Sequence, residues 1–364
     1  ASRWRHASSI GRGVPARAHR WPRVVPAAML RGVELVHLGG GESLPCPDAE
    51  TLPMGNEAIR AGLGTSRLAL PPARLHVLRD ALIHPGSGVV TTLDGRVVAE
   101  SVTAHMVGRV ALDHAEMRAA PIDMDGTVAV FRSPLRSQFH TLVDDLPRAG
   151  LLIHPAVGRL GNMTLVHDGP LTDAESTLLA HLGGRRVRLS EVAAGRPIRA
   201  KTVVVPNYVT RSGAGAVPSW YRRWADGVAL PVAERAPRRV FLDANSGAQV
   251  ANRLALLDTL ERHDVGLITP SSMPAAELFS TLRDAELVVG SADGGLAGCL
   301  FSSRAHVVEL LDDVTLNPEI YYLAASRGLP YDFVPATAAA TRRTRSTSVL
   351  DIGWLDRLLG RLTA

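Results

Sequence analysis

The chain has 364 residues, long enough for two domains with separate cores. Apolar residues make up 46% and charged residues 21%, which excludes a disordered chain. The formal charge of +5 comes almost wholly from arginine, Lys201 being the only lysine, and it is spread along the chain, so no nucleic-acid partner is expected. Cys46 and Cys299 are the only cysteines, too few for a disulfide framework, and they suit a reducing, cytoplasmic setting. No apolar run approaches the roughly 20 residues of a membrane span.

Residues 1–35 are rich in Arg and Pro and read as a basic, poorly ordered segment that lacks the apolar middle of a signal peptide. The run PPARLHVLRDALIHPG predicts one short helix before a turn at Pro85-Gly86. Residues 89–93, the turn Asp94-Gly95-Arg96 and a strand from Val97 make a hairpin. Residues 126–131 predict a further strand. From Ser137 the pattern turns helical, with Phe139, Leu142, Val143 and Leu146 on the buried face, and Pro147 should end or kink that helix. Strand 163–166, helix 172–182 and strands 186–189 and 202–206 follow. The loop 211–215 leads to a short helix near Trp220–Trp224, and residues 228–237, with Pro231 and Pro237, read as a linker.

The second half alternates: strand 239–242, helix 249–263, strand 266–269, helix 274–285 with Ser271 or Ser272 near its cap, strand 286–290, and a Gly-rich turn into helix 295–301. Strand 306–310, helix 318–326, strand 331–334 and an amphipathic helix 349–362 complete it. Short strands alternating with helices of 8–14 residues predict a parallel sheet covered on both faces, with ligands at the carboxyl ends of its strands.

Four segments could carry chemistry. In SQFHTLVDDLPR, residues 137–148, His140, Asp144 and Arg148 lie at i, i+4 and i+8. They would form a polar stripe in which a carboxylate orients an imidazole base and an arginine holds an anion, or else a solvated helix face. In VVGSADGGLAGCLFSS, residues 288–303, Gly290, Gly294 and Gly295 would let backbone N–H groups approach a diphosphate, beside Ser291 and Asp293; a plain tight turn is the alternative. Glu309, placed at a strand end, could bind ribose hydroxyls or form a salt bridge. Asp123-Met124-Asp125 fits a D-x-D metal pattern but reads better as a turn into the following strand.

Taken together, these segments resemble family 61 glycosyltransferases, which carry a segment like N-Y-x-H-[WF]-x-x-D-x-L-P-R. His140, Asp144 and Leu146-Pro147-Arg148 match it in order and spacing, and the resemblance runs over about 85–335. It implies an α/β chain with two Rossmann-like domains facing a cleft, the GT-B arrangement: an acceptor-side domain at 36–230 and a nucleotide-sugar domain at 231–364. It implies inverting, metal-independent transfer from a nucleotide-diphosphate sugar to a glycan or small-molecule hydroxyl, with no obligatory cofactor and a homodimer left open. His140 would be the base or an acceptor-orienting group, Asp144 its partner and Arg148 a positioning residue. Asn252, Arg253, Ser291, Asp293, Gly294, Gly295 and Glu309 would face the donor. The family's donor-side arginine and glutamate are replaced by Ala244, Gln249 and Arg253, with Arg211, Arg253 or Arg304 as substitutes. A silent or repurposed member, acting as a binding protein or doing different chemistry in the same cleft, is therefore the alternative.

Overall fold

The computed structural model describes residues 23–46, 67–102, 119–133, 135, 137–182, 186–193, 195–210, 215–232, 236–243, 249–292, 295–312, 317–339 and 347–364. The first half supplies strands β1 (Val24–Val25), β2 (Glu34–His37), β3 (Glu42–Pro45), β4 (Arg67–Leu70), β5 (Arg74–His84), β6 (Val89–Thr92), β7 (Val97–Val98), β8 (Ile122–Val130), β9 (Met163–Asp168), β10 (Val187–Val192) and β11 (Ile198–Pro206). Its helices are α1 (138–152), α2 (Asp173–Leu182) and α3 (Ser219–Gly227). The second half supplies β12 (Arg239–Leu242), β13 (Gln249–Val250), α4 (Arg253–Arg262), β14 (Gly266–Ile268), α5 (Ala275–Asp284), β15 (Leu287–Gly290), β16 (His306–Asp312), α6 (Glu319–Arg327), β17 (Tyr331–Ala339), β18 (Thr347–Leu350) and α7 (Ile352–Thr363).

Among the described residues, nine strands form the first sheet in the order β1-β7-β6-β5-β11-β8-β9-β10, with β2 also on β5. β11, β8, β9 and β10 run parallel, whereas β5 is antiparallel to β11, β2 and β6. This sheet is mixed and curled, not the parallel Rossmann-like sheet expected. The difference begins at 74–84, where the expected helix is a strand. Leu75 and Val77 face one core cluster, while Leu78, Ala81 and Ile83 face another. The step from Leu78 to Ala81 breaks the two-residue alternation because Asp80 takes a left-handed φ of 50°. That re-phasing spaces the apolar residues as a helix would. On β8, Asp125-Gly126 forms a bulge opposite the same level of β11, with Gly126 at φ 85°, so the strands bend together there. The hairpin β6–β7 forms as expected.

The described part of the expected N-terminal tail belongs to this sheet. Val24 and Val25 pair with Val97 and Val98, and β2 pairs with β5. β3 and β4 form a separate antiparallel pair.

The second sheet has the order β13-β18-β17-β16-β15-β12-β14. Its strands β14, β12, β15, β16 and β17, from one edge inward, are parallel, as the alternating pattern predicts. The chain passes from β12 outward to β14 and then back across to β15, so the order reverses between β12 and β15. In an open parallel sheet that reversal leaves a crevice at the carboxyl ends of the two strands. Two expected helices begin late. Residues 249–250 form β13 before α4 by pairing in parallel with Thr347 and Ser348, and 347–350 form β18 before α7, with Val349 and Leu350 paired antiparallel to β17.

Helix α2 begins with a reciprocal cap: Thr172 N–H donates to Glu175 Oε2 at 2.8 Å and Glu175 N–H to Thr172 Oγ1 at 3.2 Å. The largest buried cluster runs through both halves, joining Leu142, Leu146 and Tyr221 to Phe279, Leu300 and Tyr321. Among the described residues, no helix is long and apolar enough to cross a membrane.

Candidate active site

Ser137 opens α1 by accepting from His140 N–H at 3.2 Å, and Phe139, Leu142, Val143 and Leu146 are buried as their spacing predicts. The helix does not end at Pro147. It runs as one α-turn (Gln138–His140), a π-helical turn (Thr141–Asp145) and an α-helix (Leu146–Leu152). In the wider turn Leu146 N–H donates to Thr141 O, five residues back. Pro147 has no N–H for the next acceptor, Leu142 O, and the Tyr221 hydroxyl donates to that oxygen instead at 2.7 Å. A side chain of α3 thus supplies the bond that proline withholds, and the helix continues.

The expected polar stripe is resolved into two environments. His140 Nδ1 bonds Asp144 Oδ2 at 2.7 Å, and Thr210 donates its hydroxyl to Asp144 Oδ1 at 2.8 Å. The imidazole is 16% exposed and the carboxylate 6%. With Nδ1–H donating to Asp144, the neutral ring carries its basic lone pair at Nε2. Burial disfavours the charged imidazolium, but the Asp144 hydrogen bond and charge, with Glu319 and Asp145, outweigh it and raise the His140 pKa above its usual value. Its neighbour Asp145 is buried and accepts from Ser133 N–H at 2.8 Å. Burial pushes its pKa up to about 7, against the pull of Arg148.

Arg148 lies on no exposed stripe. It is 0% exposed, because the π-turn rotates it inward. Its Nε donates to Pro206 O at 3.2 Å, and its Nη1 to Phe131 O at 3.0 Å and Tyr208 Oη at 3.2 Å. The guanidinium also stands 4.3 Å from the Tyr208 ring centre. Expected to hold an anion at a kinked helix end, it instead lies inside a continuing helix, with Nε and Nη1 donating to two carbonyls and the Tyr208 hydroxyl and Nη2 buried without a hydrogen-bond partner among the described residues.

Across from His140 lies the turn after β15. Gly295 has φ 102°, and a Cβ there would meet Gln138 Oε1 at 3.3 Å and Pro270 Cγ at 3.2 Å. The His140 helix and the Gly-rich turn, far apart in sequence, are therefore in contact, beside the turns that follow β14 and β15. The turn leads into a six-residue 3-10 helix, Leu296–Phe301, not the α-helix expected, so it offers little aligned dipole for an anion. Ser291 is half-buried at the end of β15, while Asp293 and Gly294 lie outside the described residues, as do Ala244 and Arg211.

The remaining donor-side candidates are engaged inside the protein. Arg253 makes a two-pronged pair with Asp243 at 2.9 and 2.6 Å, which raises the arginine pKa through that hydrogen bond. Asn252 bonds both the carbonyl and the N–H of Leu350, at 2.8 and 3.1 Å, tying α4 to β18. Glu309 is not at a strand end: β16 continues to Asp312, and Glu309, 1% exposed, accepts from Tyr331 Oη at 2.6 Å. Arg304 donates to Asp284 O. The D-x-D segment is no turn but part of β8, where Asp123 pairs with Arg199 at 2.6 and 2.9 Å. Among the described residues, no group of three His, Cys, Asp or Glu is placed to hold a metal ion.

Compared with known proteins, the chain matches no family model and no curated protein.

Several site residues escape a reading of spacing. Asp145 and Gln138 stand inside the quoted motif but show no role by themselves. Thr210 reaches Asp144 across 66 residues, and Glu319 faces His140 from α6. No local signal marks either of the last two.

Proposed function

We propose that the chain is an inverting glycosyltransferase that moves a sugar from a nucleotide-diphosphate donor to an acceptor hydroxyl. The observation that carries this reading is the His140–Asp144 dyad at 2.7 Å beside the Gly295 turn that follows β15. In it, Nε2 of His140 takes the proton of the acceptor hydroxyl. The oxygen attacks the anomeric carbon, the bond to the diphosphate breaks, and the nucleoside diphosphate leaves with the electron pair. Asp144 fixes the tautomer and stabilises the imidazolium that forms. The His140 pKa, raised against the opposing effect of burial chiefly by Asp144, makes Nε2 a stronger base once the ring is neutral. The donor lies across the carboxyl ends of β12 and β15, with its diphosphate near Ser291 and Gly295. The two α/β halves then act as acceptor side and donor side, in the manner of a GT-B enzyme.

A panel of UDP-, GDP-, dTDP- and CMP-sugars tests this by calorimetry and by release of nucleoside diphosphate. Binding of at least one donor, with turnover lost in His140→Ala, is the expected result. Absence of binding by every donor at millimolar concentration overturns it.

A second reading is favoured by one observation. Arg253, Asn252 and Glu309, the expected donor contacts, are all engaged by Asp243, Leu350 and Tyr331. A crevice whose polar side chains serve the fold suits a repurposed protein that binds a glycan or partner without transferring sugar. Transfer that disappears in His140→Ala decides against it.

A further inference from the structure

We infer that Thr210 is a positioning residue for the His140–Asp144 dyad, and that Arg148 is the clamp that holds Thr210 in place. Its use in catalysis rests on the transferase reading; the relay itself stands on geometry alone.

Asp144 needs a second anchor. The terminal torsion of an aspartate is broad and roughly two-fold, so a single hydrogen bond to His140 leaves the carboxylate plane free to rotate. The Thr210 hydroxyl, 3% exposed as a residue, donates to the opposite oxygen at 2.8 Å. With Oδ1 held by Thr210 and Oδ2 by His140 Nδ1, the plane is set and the imidazole keeps one tautomer. Threonine suits this task because its β-branch restricts χ1, which fixes the direction of the hydroxyl.

Thr210 is in turn held by the segment that carries it. That segment leaves β11 at Pro206 and passes Tyr208, and Arg148 grips both. Its Nε bonds Pro206 O and its Nη1 bonds Tyr208 Oη, each at 3.2 Å, with the guanidinium over the Tyr208 ring. Arg148 stands one turn after Asp144 on α1. The helix, the segment 206–210 and the two side-chain links therefore form a closed ring, and Asp144 is set by a clamp on its own helix. This gives Arg148 a structural purpose: Nε and Nη1 reach the strand end that delivers Thr210.

The test reads the imidazole directly. In the full chain with ¹⁵N-labelled histidine, NMR should find His140 as the Nδ1–H tautomer, with a low-field Nδ1–H resonance, and His140→Gln assigns the signal. In Thr210→Val the resonance should be lost to exchange and the two tautomers should mix. Thr210→Ser should restore both features, which a role in packing alone would not produce. Thr210→Ala is read the same way should the valine variant fail to fold. Arg148→Lys should mix the tautomers as Thr210→Val does. Where transfer is measured, Thr210→Val should lower kcat on the order of tenfold or more at unchanged KM, part of the 10²–10⁴ that a positioned base contributes. An unaltered tautomer in both Thr210→Val and Thr210→Ala overturns the role of Thr210, and an unaltered tautomer in Arg148→Lys overturns the clamp. Should no donor be turned over, the transferase reading fails, while the NMR result still decides the relay.

Discussion

Asp173, in the first turn of α2, accepts a hydrogen bond at 2.6 Å from the backbone N–H of Ala275, the first residue of α5. The two residues belong to different halves of the chain. Ser271 and Ser272, the expected local caps, are in a 3-10 turn, and Ser272 donates its hydroxyl back to Thr269 O. A carboxylate from a helix of the other half takes the place of a local cap, where both the open N–H groups and the helix dipole favour a negative charge. Asp173→Ala should lower stability by about 1 kcal/mol, the usual worth of a helix cap. Because one core cluster spans both halves, the variant should still unfold in a single transition, with an earlier midpoint in urea and an unchanged slope. Two separated transitions would show that the halves are independent.

Asp145 should make the protein less stable as pH rises. Its carboxyl group has a folded pKa of about 7 against an unfolded value of 3.8, so the native state holds the extra proton. Its contribution is complete below 3.8 and is lost as pH climbs to about 7. The limiting slope for one such group is about 1.4 kcal/mol per pH unit. Asp145→Asn keeps an oxygen for Ser133 N–H and removes the titration. Urea unfolding at several pH values should therefore show a flatter profile in the variant and a more stable variant above pH 7. Parallel profiles would count against a neutral Asp145.

The dyad has its own signature. The His140 pKa is raised in the folded state, so the stability it contributes is present in full below 6.5 and fades as pH rises through the folded value. The stability gap between the native chain and His140→Gln should be widest below that pH and close above it. If His140 is the base, kcat/KM should move the opposite way and climb through the same pKa, since only the neutral ring accepts a proton. A rate that is flat across this range in the native chain would exclude His140 as the base.

Gly215 sits where the chain returns toward α3, with φ at 69°, and a Cβ there would collide with the backbone of Glu319. Gly215→Ala meets both the left-handed backbone and that collision, so α6 must shift at the end that faces His140. A loss of about 1–3 kcal/mol is expected, the range for a residue forced into a disfavoured backbone region. Denaturation of the variant measures it. An unchanged midpoint would mean that the contact between this loop and α6 is dispensable.

The second sheet was largely legible. Strands such as Val240–Leu242 and Leu287–Gly290 are short, apolar and buried, and each is followed by a segment of helical period, a pattern with one common solution. The motif at 137–148 was legible as a helix with a His–Asp pair one turn apart, and that pair forms. What failed were positions where a distant group changes the local rule. Asp80 re-phases β5 so that a strand reads as a helix. Tyr221, 79 residues from Leu142, supplies the hydrogen bond that Pro147 lacks and lets α1 pass through it. β13 takes the first residues of one expected helix by pairing with Thr347 and Ser348, and β17 takes Val349 and Leu350 from another.

By itself, the sequence determined the alternation of the second half, the buried face of α1 and the spacing that brings His140 to Asp144. These follow from periods of two and 3.6 residues and from bonds within one turn, so the information is local. The tertiary structure decided the rest: that Arg148 points inward to Pro206 and Tyr208, that Arg253 and Glu309 turn to Asp243 and Tyr331, and that Thr210 closes on Asp144. A charged or hydroxyl side chain looks the same in sequence whether it meets solvent, a ligand or a buried carbonyl. Its partner is fixed only when packing brings distant segments together and each polar group that loses water must find a replacement bond.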